Sequence, residues 1–271
     1  VNGRDVTATH DTSGQPDGSG QPDERYFDVM AQQAATHWWY RARRALLYGV
    51  LERAGVRHGR ILDAGCGTGD NFVVLDRFGD AVGTDLSGYA LRRAPLGAAG
   101  GTRVAVATAT HLPVVSGALD LLVSMDVIEH LDDDVLALEE YRRALRPGGQ
   151  LLVTVPAYQF MWSHHDEWAA HRRRYRRRTV CAAVAAAGFE IVCSTYFFSF
   201  LVPPAFVLRR TPLRRLVRTT DDEVGAASPP VDRVMSWMAS IERWAALRWR
   251  IPFGLSILVL ARRPDELSAA C

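Results

Sequence analysis

An apolar segment, Ile61-Leu62-Asp63-Ala64, runs directly into Gly65-Cys66-Gly67-Thr68-Gly69, and no other stretch constrains the fold of this chain as strongly. Glycine at alternate positions removes side chains where a ligand would approach the main chain, and permits backbone angles that other residues avoid. Asp63 stands just before the loop, at the end of a strand, where open parallel sheets bind their ligands. The competing reading is an ordinary strand-to-helix turn, for which one glycine usually suffices. The segment therefore predicts an α/β fold that holds a nucleotide-like cofactor with its backbone.

The order of patterns around the loop agrees with that prediction. Tyr26 to Arg53 carries apolar residues at helical spacing. Short apolar strands then alternate with helix-like stretches, which reads as a parallel sheet covered on both faces. The strands are expected at Arg60 to Ala64, Ala81 to Asp85, Arg103 to Ala107, Leu119 to Met125 and Gln150 to Val155, with helices at Asp70 to Phe78, Gly88 to Leu96 and Asp132 to Leu145. Pro147-Gly148-Gly149 reads as the turn into the fifth strand. Arg178 to Ala187 reads as a helix, and Phe189 to Phe198 and Leu255 to Ala261 as strands. The interval between those two strands is too long for a hairpin, so it must carry structure of its own, including an amphipathic helix over Val231 to Arg248. The division expected is a disordered tail at 1–22, lead-in helices at 23–58 and one domain at 59–271 with a helical insertion at about 202–250.

Composition narrows the function classes. The net charge of +2 argues against a global basic field for nucleic acid, and 48% hydrophobic residues suffice for a sizeable core. All 32 basic residues are arginine, a coding habit that weakens any argument that Arg was selected over Lys at one site. Cys66, Cys181, Cys193 and Cys271 lack the spacing of a zinc site or a disulfide framework, so no metal and a reducing, cytoplasmic setting are expected. The amino-terminal segment is polar and reads as a tail without a secretory signal. Tyr196 to Leu208, the longest apolar run, is too short to span a bilayer, which leaves peripheral membrane contact open.

Taken together, Asp63 to Gly69, Gly83-Thr84-Asp85, Leu119-Asp120-Leu121-Leu122-Val123 and Leu145-Arg146-Pro147-Gly148-Gly149 resemble the class I S-adenosylmethionine-dependent methyltransferases. The resemblance covers Ile61 to Val155. It implies a Rossmann-like, seven-stranded, mostly parallel sheet with helices on both faces and an antiparallel last strand. It also implies S-adenosylmethionine as cofactor and S-adenosylhomocysteine as product, held by Asp63, Gly65, Cys66, Gly67, Gly69, Leu86 and Met125, with Asp85 on the ribose hydroxyls. A carboxylate suits two hydroxyl donors at once. Thr108-Ala109 stands where the family often has an acidic residue for the adenine amine. Thr108 can accept a hydrogen bond but brings no charge. A nicotinamide-binding sheet also pairs a glycine loop with a later acidic residue, but the G-x-G-x-G spacing here departs from that fingerprint. A noncatalytic cofactor-binding scaffold is the other alternative.

The acceptor side is less defined. Pro156 to His171 mixes aromatic and titratable residues at the sheet's carboxyl edge, as binding clefts do. His165 with Asp166 as its orienting partner forms a candidate base, with His171 nearby; the competing reading is that these histidines hold the loop. Trp39, Tyr158, Trp162 and His130 are candidate acceptor contacts, and Arg43 is a candidate for the cofactor carboxylate. His171 to Arg178 reads either as a solvated charged face or as a clamp for an anionic group on the acceptor. Phe197, Phe198, Phe200, Trp237, Trp244 and Trp249 either pack or wall an apolar acceptor site. The expected partner is a small or medium-sized metabolite methylated on O, N or C, in specialised metabolism, with no nucleic acid, for a monomer or homodimer.

Overall fold

The computed structural model describes residues 24–95, 97, 102–210 and 228–265; the expected tail at 1–22 lies outside them. Two helices, α1 (Glu24–Ala34) and α2 (Trp38–Arg53), precede the sheet. The strands are β1 (Gly59–Ala64), β2 (Gly79–Asp85), β3 (Val104–Val106), β4 (Leu119–Met125), β5 (Leu145–Pro156), β6 (Glu190–Phe197) and β7 (Ser256–Arg262). They form one sheet in the order β3-β2-β1-β4-β5-β7-β6, in which β7 alone runs antiparallel, between β5 and β6. This is the sheet that the resemblance implied.

Side chains along the strands alternate between two cores, as the pleat requires. Ile257, Val259 and Ala261 join one core with α5 (Asp134–Ala144) and α7 (Arg177–Ala186), while Leu258 and Leu260 join the other with α2. The Pro147-Gly148-Gly149 turn is absorbed into β5 as an irregularity: Leu145 already pairs with Leu119, and the register then shifts.

Two helices are shorter than their patterns predict. The expected Asp70 to Phe78 helix is regular only over α3 (Phe72–Leu75), and the expected Gly88 to Leu96 helix only over α4 (Gly88–Leu91). In both, the following turn tightens into i→i+3 bonds, Phe78 N to Leu75 O and Ala94 N to Leu91 O. Pro95 also disfavours helix at Ala94. Between β5 and α7 lies the short α6 (His164–Trp168).

The interval between β6 and β7 contains α8 (Val202–Arg210) and α9 (Pro229–Ala246). α9 lies on α2, where Arg41 pairs with Asp232 at 2.5 Å and a Cβ on Gly49 would come 2.7 Å from Leu247. Its buried Glu242 accepts backbone N–H bonds from Phe198 and Ser199, each at 2.6 Å, and the Ser199 hydroxyl also donates to it. The carboxylate thus holds the chain where it leaves β6, with Phe198 left-handed at φ 59°.

At the end of β1, Asp63 is fully buried; Oδ2 accepts from Asn71 at 3.0 Å and Oδ1 has no partner. Burial pushes its carboxyl from 3.8 up to about 7, against the Asn71 hydrogen bond and with help from Asp85 and Asp70. The folded chain therefore favours the protonated form. The resulting stabilisation is full below pH 3.8 and is lost as pH rises through about 7.

Two outcomes are expected. Glu242→Ala leaves buried N–H donors without a partner and lowers unfolding free energy by about 2–4 kcal/mol in urea titrations; a change under about 0.5 kcal/mol contradicts the anchoring role. In cofactor-free protein, Asp63→Asn flattens the fall in stability between pH 4 and 7, a difference on the order of 2–4 kcal/mol. Parallel pH profiles for mutant and parent would overturn the assignment.

Candidate functional site

The carboxyl ends of β1, β2 and β4 open into a cavity of about 330 Å³. Gly65, Cys66, Gly67, Asp85, Leu86, Thr108, Ala109, Met125 and Arg43 all line it, as does His130. Its size suits a small ligand. Asp63 and Gly69, the other two residues expected on the cofactor, do not line the wall. Asp63 lies behind it and reaches the cavity only through Asn71.

The loop glycines serve different ends. A Cβ on Gly65 would stand 2.3 Å from Val127, whereas one on Gly67 would meet nothing within 4 Å. Packing therefore requires Gly65, and Gly67 leaves backbone open to the cavity. Asp85 Oδ2 accepts the Gly67 N–H and Oδ1 accepts the Ser87 N–H, both at 2.8 Å. Each carboxylate oxygen has a further lone pair for a donor from the ligand. Burial raises the Asp85 carboxyl despite those bonds.

A second cavity, of about 410 Å³, lies against the first and shares Tyr26, Met30, Tyr40, Arg43 and Asp126 with it. Arg43 pairs with Asp126 at 2.6 Å inside this partition. Asp126 follows β4 in the left-handed region at φ 57°, a conformation that costs energy and clusters at functional sites. Its N–H donates to Thr154 O and its Oδ1 accepts from the Thr154 hydroxyl, which fixes the residue on β5. Trp39, stacked on Phe198 with ring centroids 3.9 Å apart, lines the second cavity with His165, Trp168 and His171.

The expected His165–Asp166 dyad does not form. Asp166 is fully buried, and its Oδ1 accepts from His171 Nδ1 at 2.8 Å while Arg174 donates to both its oxygens. Burial opposes ionisation, but these hydrogen bonds hold its carboxyl well below the usual carboxylate range. The pairing follows from the turn after α6, which carries His171 back over Asp166 with a backbone bond from His171 N to Asp166 O.

Tyr158 and Trp162 line neither cavity. Tyr158 stacks instead on Tyr196 and on the exposed Phe160, at the margin of the core. Trp237, Trp244 and Trp249 are exposed and line neither of these two cavities. The arginine-rich segment divides: Arg172, Arg173 and Arg174 bind the chain itself, whereas Arg176 and Arg178 stay exposed, as a solvated face would. Arg172 donates to His130 O, Arg173 to the carbonyls of Leu131 and Asp132, and Arg174 to Asp166 and Ala157 O, so the run straps α6 to the loop after β4.

Sequence reasoning missed Tyr26 and Met30, because helical spacing shows which face of a helix is apolar and not what covers it. It also missed Glu129, fully buried between Asp126 and His130. Burial and the neighbouring Asp126 push the Glu129 carboxyl well up, and neither oxygen has a hydrogen-bond partner.

Residues 62–153 match the family described as a methyltransferase domain. A ubiquinone/menaquinone biosynthesis C-methyltransferase of Syntrophotalea carbinolica is 37% identical over 117 residues, covering 41% of this chain and 49% of that protein. Phosphoethanolamine N-methyltransferase 3 of Arabidopsis thaliana is 33% identical over 101 residues, 35% of this chain and 20% of that one. The chain spans about half the length of the first-ranked curated relatives it matches. Among solved structures, a chain from the complex with the Haloferax volcanii Trm112 methyltransferase activator shares the fold with a TM-score of 0.58 and 19% identity, over 88% of this chain and 98% of that one. Phosphoethanolamine N-methyltransferase 2 of Haemonchus contortus, solved with S-adenosyl-L-methionine, gives 0.53 and 17%, over 82% and 52%. By its sheet order and its matched segment, residues 62–153, this chain is similar to S-adenosylmethionine-dependent methyltransferases and carries their methyltransferase domain.

Proposed function

We propose that the chain transfers a methyl group from S-adenosylmethionine, bound in the first cavity, to a small or medium-sized metabolite in the second. The observation that carries this reading is the shared partition: two cavities meet at Arg43, Asp126, Tyr26, Met30 and Tyr40, at the carboxyl edge of the sheet. When bound, the cofactor would supply a sulfonium methyl to an acceptor O, N or C, with the thioether sulfur as leaving group. Alignment of the two is the main contribution asked of the protein.

The residues present fit that cofactor. Gly67 offers open backbone, and Asp85 keeps acceptor capacity for ribose hydroxyls. Thr108 and Ala109 lie at the adenine end, where Thr108 Oγ1 shares a hydrogen bond with Thr110. Arg43, held by Asp126, faces both cavities and can meet a carboxylate of cofactor or acceptor. On the acceptor side Trp39 and Trp168 supply aromatic walls, and Asp166 orients His171. The relatives named above methylate unlike acceptors, so the acceptor follows from this chain's own second cavity. A place in specialised metabolism suits that mixed aromatic and polar lining.

The test is calorimetric. Asp85→Ala is expected to weaken S-adenosylmethionine binding at least tenfold, about 1.4 kcal/mol, with the unfolding midpoint little changed. Unchanged affinity, or preference of the parent protein for a nicotinamide dinucleotide, would sink the cofactor assignment. Screening metabolites for transfer of a labelled methyl separates an enzyme from a cofactor-binding scaffold, which would bind and transfer nothing.

A further inference from the structure

Glu129, His130 and His171 place one carboxylate oxygen and two imidazole nitrogens within 4.8 Å of one another, and the methyl-transfer reading gives this grouping no task. Around a transition-metal ion with bonds of about 2.0–2.2 Å, ligand atoms stand roughly 3–4.4 Å apart. Small side-chain adjustments bring this cluster into that range.

Each histidine is already oriented for coordination. His130 Nδ1 lies 3.2 Å from Ala170 O, and a carbonyl can only accept, so Nδ1 carries the proton and Nε2 keeps its lone pair. His171 Nδ1 donates to Asp166 at 2.8 Å, which leaves Nε2 directed to Glu129 Oε1, 3.8 Å away and beyond hydrogen-bond range. Metal-ligating histidines characteristically hold their second ring nitrogen on a carbonyl or carboxylate in this manner.

Glu129 supplies the independent observation. It is fully buried, and both its carboxylate oxygens lack hydrogen-bond partners. A buried carboxylate without a partner is costly. The nearby arginines are engaged elsewhere: Arg43 with Asp126, Arg172 with Asp132, Arg173 with Asp134 and Arg174 with Asp166. A divalent cation satisfies the carboxylate and both imidazoles together.

We propose that Glu129, His130 and His171 bind a divalent first-row transition-metal ion, of the Zn²⁺, Co²⁺ or Mn²⁺ kind that accepts mixed nitrogen and oxygen donors. The expectation of no metal rested on cysteine spacing, which is blind to this set. His130 lines the first cavity and His171 the second, so the ion sits at their junction with positions left for ligands from the acceptor. Resting on the methyl-transfer reading, this points to an acceptor bearing a hydroxyl. Coordination lowers the hydroxyl's pKa and its proton leaves to solvent; the oxygen then bonds to the methyl carbon as the carbon–sulfur bond breaks and sulfur takes the electron pair.

The test uses tag-free full-length protein freed of metal with a chelator. Co²⁺ is titrated by visible absorption and calorimetry, and S-adenosylmethionine binding is measured separately. Expected is one ion per chain, with affinity reduced at least 100-fold in Glu129→Gln and in His171→Ala, while Asp85→Ala binds Co²⁺ as the parent does. Circular dichroism confirms that all variants are folded, and S-adenosylmethionine affinity does so for Glu129→Gln and His171→Ala. Asp166→Asn, which alters only the support of His171, is expected to cost about 10–100-fold. Failure of the parent to bind Co²⁺, or equal binding by Glu129→Gln, overturns the metal site and leaves the cofactor reading standing. Intact Co²⁺ binding with no S-adenosylmethionine binding does the reverse.

Discussion

Everything at this site depends on acidic groups crowding the carboxyl edge of a parallel sheet. Parallel strands end at the same edge, so Asp63 at the end of β1, Asp85 at the end of β2, and Asp126 and Glu129 after β4 are brought together by topology. Burial raises Asp63, Asp85 and Glu129 because ionised carboxylates are poorly solvated there. The fold answers unevenly. Arg43 neutralises Asp126, backbone N–H groups serve Asp85, Asn71 half-satisfies Asp63, and Glu129 receives no hydrogen bond, only the His171 imidazole 3.8 Å away.

That unevenness carries the functional content. A carboxylate satisfied by backbone can still receive ligand hydroxyls, as at Asp85. A carboxylate locked by arginine becomes structure, as Asp166 does beneath His171 and Asp126 does in the partition between the cavities. A buried carboxylate that the protein leaves without a hydrogen bond marks a place for something from outside.

The same accounting explains the arginine-rich segment. The guanidinium groups of Arg172, Arg173 and Arg174 bind carbonyls and carboxylates of the chain itself, fixing α6 and the loop after β4 against each other. Positions of His130 and His171 follow from that strap, with the two rings 4.8 Å apart in edge-to-face contact. On the opposite side, α9 and its buried Glu242 fix Phe198, on which Trp39 stacks to close the second cavity.

The sequence by itself determined the alternation of strands and helices, the open loop around Gly67 and the acid ending β2, because each depends on local chemistry: apolar runs, glycine backbone freedom, and an acid at a strand's end; the reversed strand followed only from the family resemblance. It could show that Trp38 and Trp39 lie on a helix, but not that Trp39 meets Phe198. The tertiary structure alone decided which carboxylate partners which cation or imidazole. His165 and Asp166 are neighbours in the chain, yet a turn after α6 delivers His171 to Asp166 instead. Helix boundaries at α3 and α4 were decided in the same way, by Pro95 and by the short return into β2. Pairings across the chain rest on distances of a few ångströms that spacing in sequence does not encode, and the contact of Glu129 with His171 is of that kind.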